Sequence, residues 1–154
     1  MSTRLDRFLD AQDALHGSYA DALAEIQSGR KRSHWIWYVF PQLGGIGHSS
    51  FAKTYAIADC AEAVAYLQHP VLRARMLEIT RAVEQQLDSG VPLMTLMGSD
   101  IDALKLVSSM TLFRAASSDT DAEIAGAADA VLQRAASAGY PPCAFTLTEL
   151  RRSR

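Results

Sequence analysis

Asp102, Lys105 and Ser109 stand three and four residues apart, so on a helix they fall on one polar stripe. Apolar residues flank that stripe on both sides. A lysine held there either has a depressed proton affinity or pairs with the aspartate. Lys105 and Ser109 are therefore candidate proton-handling groups, with Ser108 beside them as a hydrogen-bonding group for a ligand. Plain packing offers a second account. Asp102 and Lys105 would form an intrahelical ion pair worth about 0.2–0.5 kcal/mol, and the two serines would bond back to their own helix.

Residues 33–42 hold both tryptophans of the chain, with Tyr38 and Phe40 beside them. At helical spacing His34, Trp37 and Tyr38 share an edge. If that edge lines a cleft, Trp35, Trp37 or Tyr38 could stack on a planar ligand, with Gln42 nearby and His34 exchanging a proton near neutral pH. Read as packing, the same segment is a core helix whose indole N–H groups and Tyr38 hydroxyl find buried acceptors.

Gly44, Gly45 and Gly47 fall within four positions and lead into Ser49 and Ser50. Free N–H groups before a helix start can cradle an anion, which makes the three glycines and Ser49 candidate binding residues. The pattern is neither a phosphate-binding Gly-Lys-Ser/Thr loop nor a dinucleotide fingerprint, since no strand precedes it. A tight connection letting two helices approach would use the glycines equally well.

These segments need elements to position them, and the chain is rich enough in apolar residues to supply a core. It has 154 residues, 49% hydrophobic and 21% charged, which fits one folded domain and not a disordered chain. The formal net charge of −2 gives no overall reason to expect a nucleic-acid partner. Two local basic clusters, Arg30 to Arg32 and the tail at residues 150–154, read as solvated charge runs, although the first could meet a phosphate. The N-terminus does not resemble a signal peptide and no stretch is apolar enough to span a bilayer, so a cytoplasmic protein without a membrane partner is expected. Cys60 and Cys143 lie far apart and no histidine pair has ligand spacing; no metal and no cofactor are expected.

The spacing predicts an all-α chain of about six to eight helices, with one domain over residues 1–154. A first helix covers residues 5–15. Ser18 opens a second that Gly29 stops, and Ser33 caps a third over residues 34–40, ended by Pro41. Ser50 caps a turn to Tyr55, and Asp59 caps residues 61–68. Pro70 then opens the clearest helix, where Leu72, Met76, Ile79, Val83 and Leu87 draw a continuous apolar stripe. After a short apolar turn at residues 93–97, Ser99 or Asp100 caps a helix to about Ala116, and a last long helix runs from about Asp121 to Ala138. The core is placed in residues 5–138, with an extended tail over residues 139–154 that ends in one further turn.

Residues 7–12, 31–42, 66–72 and 105–113 together resemble the domain-of-unknown-function family numbered 1810, small stand-alone bacterial proteins of an all-α fold. The likeness runs from about Phe8 to about Ala138. It implies the fold and a cytoplasmic location but no catalytic residues, so no roles carry over. Members are sometimes labelled calpastatin, a name at odds with this folded composition, since inhibitors of that type are disordered.

Two functions follow from the residues. One is a small-molecule-binding protein or enzyme whose cleft takes an anionic, nucleotide-like ligand. The loop from Gly44 to Ser50 and the Arg30 to Arg32 cluster would hold the anion, an aromatic ring would stack, and His34, Lys105 and Ser109 would supply protons and hydrogen bonds. The other is a protein-interaction or regulatory module without catalysis. Neither specifies an oligomeric state.

Overall fold

The computed structural model describes residues 4–152. Residues 1–3 and 153–154, the outer ends of the charged N-terminal stretch and of the basic tail, lie outside the described residues.

Ten helices are present among the described residues, more than the sequence suggests, because two short turns, at residues 50–54 and 93–97, and the tail are themselves helical. The order is α1 (Asp6–Gln12), α2 (Tyr19–Gln27), α3 (Ile36–Val39), α4 (Ser50–Thr54), α5 (Cys60–Gln68), α6 (Pro70–Asp88), α7 (Leu93–Met97), α8 (Asp100–Ser117), α9 (Ala122–Ser137) and α10 (Ala144–Arg152). The one departure from helix and loop is an isolated parallel bridge between Leu43 and Ile57.

Where local chemistry decides, the expected boundaries hold. Ser18 closes a full capping box with Asp21 on α2, Asp59 caps α5, Ser99 caps α8 and Asp121 caps α9. His69 caps α6 through Nδ1, with Pro70 at the first helical position. The apolar stripe of α6 is buried at Leu72, Met76, Ile79 and Val83, each worth roughly 1.5–3 kcal/mol when fully removed from water.

Four expectations are corrected. Helix α1 stops at Gln12 rather than Leu15: Leu15 is 92% exposed, so the apolar continuation has nothing to pack on. Ser49, not Ser50, caps α4, its Oγ accepting from the Ala52 N–H at 3.1 Å. Ser33 caps nothing. Its N–H and hydroxyl both donate to the Glu25 carboxylate, at 2.8 and 2.6 Å, and α3 starts three residues later without a side-chain cap. The tail also differs from an extended strand with a single closing turn, since α10 is nine residues long and buries Thr146 and Leu150.

Helix α8 organises the rest. Buried residues run almost all round it, from Ala103 to Ser117, which is the signature of a helix enclosed by neighbours. It packs against α9, α5, α7, α10 and α3. Lys105 thus meets Trp37 of α3 and Ser108 meets Thr146 of α10, the elements that carry the aromatic segment and the end of the chain.

Candidate functional site

The site begins with the intrahelical pair of Asp102 and Lys105, to which the tertiary fold adds a second cation, Lys31. The Asp102 carboxylate sits between two ammonium groups, Lys31 Nζ at 2.8 Å from Oδ2 and Lys105 Nζ at 3.6 Å from Oδ1. Lys31 is the buried member, its side chain 6% exposed. Its Nζ also donates to the Ser33 carbonyl at 2.5 Å and lies 4.9 Å from the centre of the Trp35 ring. Its backbone is fixed as well: the Lys31 N–H donates to Leu96, and Gly98, in the left-handed region, passes so close that a Cβ there would be 3.0 Å from the Lys31 carbonyl oxygen. The middle of the basic cluster therefore points inward and is not available to a phosphate.

Lys105 reaches the other way. Its Nζ lies 4.8 Å from the centre of the Trp37 ring, a cation–π contact between residues on α8 and α3. Trp37 also stacks on Phe51, at 4.9 Å with 22° between the planes. The aromatic segment and the hydroxyl-rich helix do converge.

They converge beside a hollow of about 480 Å³. Ile101, Leu104, Lys105, Val107 and Ser108 of α8 form one wall; Gln42, Ile46 and Gly47 form a second. Pro141, Pro142, Cys143 and Ala144, leading into α10, close the third. A smaller hollow of about 180 Å³ lies across Gln42 and Gly47, lined by Trp37, Gly44, Gly45 and Lys53 among others.

Other candidates are placed differently. Trp35 is fully buried and its Nε1 donates to Glu25 at 3.0 Å. Tyr38 is buried too, its hydroxyl donating to the Gly17 and His34 carbonyls at 2.5 and 3.2 Å, and burial pushes that phenol up from its ordinary range. Both are core. His34 is exposed and lines neither hollow; its backbone, not its ring, is the part used. Ser109 is completely buried and lines neither hollow, its Oγ without a hydrogen-bond partner. The four are not brought to Lys105's pocket.

The glycine loop serves approach between elements. Gly44 donates its N–H to the Ile57 carbonyl at 2.8 Å, so that group is not free for an anion. A Cβ on Gly47 would sit 2.5 Å from the Ala52 Cβ, and one on Gly45 would be 3.0 Å from Phe145 Cζ. Ser49 is consumed as the cap of α4. Gln42, Gly47, Lys105 and Ser108 are thus the expected residues that the main pocket unites.

Cys143 was absent from the sequence-derived set. It precedes α10, and its sulfur accepts a hydrogen bond from the Thr146 hydroxyl at 3.2 Å, while Ser108 Oγ lies 3.4 Å from that same hydroxyl. Burial pushes the thiol up, but hydrogen bonds from Thr146, Ser108 and the Phe145 backbone outweigh it and hold the thiol below its ordinary range. No local sequence signal marks it, because Pro141-Pro142 reads as extended chain and Ser108 is brought near only by the tertiary fold. Both cysteines are free thiols.

Among the described residues no helix is long and apolar enough to cross a membrane, and no three His, Cys, Asp or Glu side chains are grouped to hold a metal ion. The family model described as "Protein of unknown function (DUF1810)" matches residues 2–136. A solved structure, the conserved hypothetical protein Rv1873 from Mycobacterium tuberculosis, is similar at 38% identity with a TM-score of 0.79, covering 96% of each chain. No curated protein matches the chain.

Proposed function

The chain belongs to the DUF1810 family of proteins of unknown function, and we propose that it is a cytoplasmic small-molecule-binding protein whose α8–α10 pocket takes an anionic ligand. The observation that carries the reading is a hollow of about 480 Å³ whose lining is largely apolar and includes Lys105 as its one charged residue among the described residues. That size and lining, with a few polar groups converging on one side, suit a small organic molecule. Ser108 and Gln42 add hydrogen-bonding capacity beside the charge. Two free thiols fit a reducing compartment.

A stacked nucleobase has less support than a less specific apolar body. Trp35 and Tyr38 are committed to the core, and the Trp37 ring already carries Phe51 and Lys105. The test is a panel of nucleotides, phosphorylated metabolites and amphiphilic carboxylates. Thermal shift and tryptophan fluorescence are read on the wild-type chain and on Lys105→Met. At a hundredfold excess over Kd a ligand stabilises the fold by about 2.7 kcal/mol, and Lys105→Met should remove most of that gain. No shift and no fluorescence change with any member would end the proposal.

A partner-docking role is favoured by a different observation: Ile101 and Leu104 at the pocket's edge and Phe145 near it are 66%, 52% and 41% exposed. A stable dimer by light scattering, lost on Leu104→Glu, would favour that reading.

A further inference from the structure

We infer that this pocket selects singly charged anions with an apolar body, an amphiphilic carboxylate in preference to a phosphate dianion, because Lys31 is the closer partner of Asp102 and so leaves the Lys31–Asp102–Lys105 group with one net positive charge, carried at Lys105. The inference rests on the pocket being a ligand site and adds what that ligand must be.

The geometry assigns the charges unequally. Lys31 Nζ is at hydrogen-bond distance from Asp102, at 2.8 Å, whereas Lys105 Nζ, at 3.6 Å, is within ion-pair reach but beyond a hydrogen bond. Lys31 is also the more deeply buried of the two, with side-chain exposures of 6% and 23%. The Lys31 ammonium is held in place by Asp102, the Ser33 carbonyl and the Trp35 ring together and, being buried, stays with its carboxylate; Lys105, whose side chain lines the pocket, can exchange Asp102 for an incoming anion. Two ammonium groups and one carboxylate sum to a single positive charge.

No second cation lines the hollow among the described residues. Lys105 is the only charged residue there, and Ile46, Ile101, Leu104 and Val107 supply apolar wall. In such surroundings an anionic head with one charge is matched, and a second charge stays unpaired at high cost. Cys143, whose thiol is held below its ordinary range, adds no compensation for it. An uncharged head forfeits the ion pair altogether. Lys31 is in this scheme a positioning residue: it touches no ligand, yet without it Asp102 would claim Lys105.

The experiment compares three probes with one tail, octanoate, octyl phosphate and octanol, by calorimetry at pH 8, where the phosphate is mainly a dianion (second pKa about 6). On the full wild-type chain octanoate should bind about tenfold or more tightly than either other probe. Asp102→Asn raises the local sum by one charge and should move the preference toward octyl phosphate. Lys31→Met lowers it by one and should cost octanoate about tenfold while leaving octanol unchanged. Adding Asp102→Asn to Lys31→Met should restore octanoate, an effect a merely structural lysine could not produce. Should Lys31→Met fail to fold, the Asp102→Asn shift alone decides. Octyl phosphate binding best to wild type, or all three probes binding alike, overturns the charge assignment while the pocket stands. Binding by none of them, and by no member of the broader panel, overturns both.

Discussion

The Glu25 carboxylate accepts the Trp35 indole N–H at 3.0 Å and, with the same side chain, the N–H groups of Arg32 and Ser33 at 2.6 and 2.8 Å. One acidic residue near the end of α2 thereby holds the whole approach to α3, including the turn that aims Lys31 at Asp102. The arrangement is tertiary in origin, since Glu25 and Trp35 are ten positions apart.

Glu25→Gln should destabilise the fold by about 2–3 kcal/mol at neutral pH, because it weakens charge-assisted bonds and turns an NH₂ group toward donors. Burial pushes the Glu25 carboxyl up, but the hydrogen bonds from Ser33, Arg32 and Trp35 outweigh it and hold it at about 2, against an ordinary 4.5. A lowered folded-state value means the contribution is complete above about 4.5 and is lost as pH falls toward 2. The difference in Tm between wild type and Glu25→Gln should therefore shrink across that window. A difference that does not change with pH would show that the carboxylate's charge is not what matters.

Gly47→Ala should cost about 1–3 kcal/mol and disturb the wall between the two hollows, since its methyl would meet the Ala52 Cβ at 2.5 Å. Ala52→Gly makes room at the opposing surface, at a helix-propensity cost of about 1 kcal/mol. Chemical denaturation of the double variant should thus recover part of the loss. If the two losses simply add, the contact is not the cause.

Ser109→Ala should be neutral or stabilising. The Ser109 hydroxyl is fully buried and unpartnered, so its removal lifts a desolvation penalty and should raise Tm by about 1–4 °C. Ligand-induced shifts should be unchanged. A clear loss of ligand binding in this variant would return Ser109 to the site.

Cys143 should react with iodoacetamide faster than Cys60 at pH 7.5, as read by peptide mass spectrometry, because local hydrogen bonds favour its thiolate. Saturating ligand in the pocket should slow the labelling of Cys143 and leave Cys60 alone. Equal rates at both cysteines would argue that the Cys143 thiol is not activated.

The parts of this molecule that were legible beforehand are those that local rules control. Leu72, Met76, Ile79 and Val83 announce α6 by spacing alone, and Ser18, Asp59, Ser99 and Asp121 announce the starts of four helices. Ser33 misled because a serine before an apolar run reads as a cap, whereas here Glu25 takes it. Helix α10 was hidden by Pro141-Pro142, which suggests extended chain, and by having few buried side chains of its own. The pairing of Lys31 with Asp102 and the position of Cys143 beside Ser108 depend on contacts across long stretches of chain, which periodicity does not encode. For that reason the aromatic and hydroxyl-rich segments were recognisable as unusual, yet which of Trp35, Trp37 and Tyr38 would reach a pocket was not.

The third wall of the pocket is carried by a segment beyond residue 136, where the family match ends. Only Thr146 and Leu150 of α10 are buried, so this wall is attached to the bundle rather than woven through it. Side chains at Pro141 and Pro142 can therefore be exchanged with little penalty to the scaffold while reshaping what the cavity admits. With the proposed pocket as the ligand site, selectivity and foldability would be separable, and retuning one need not endanger the other.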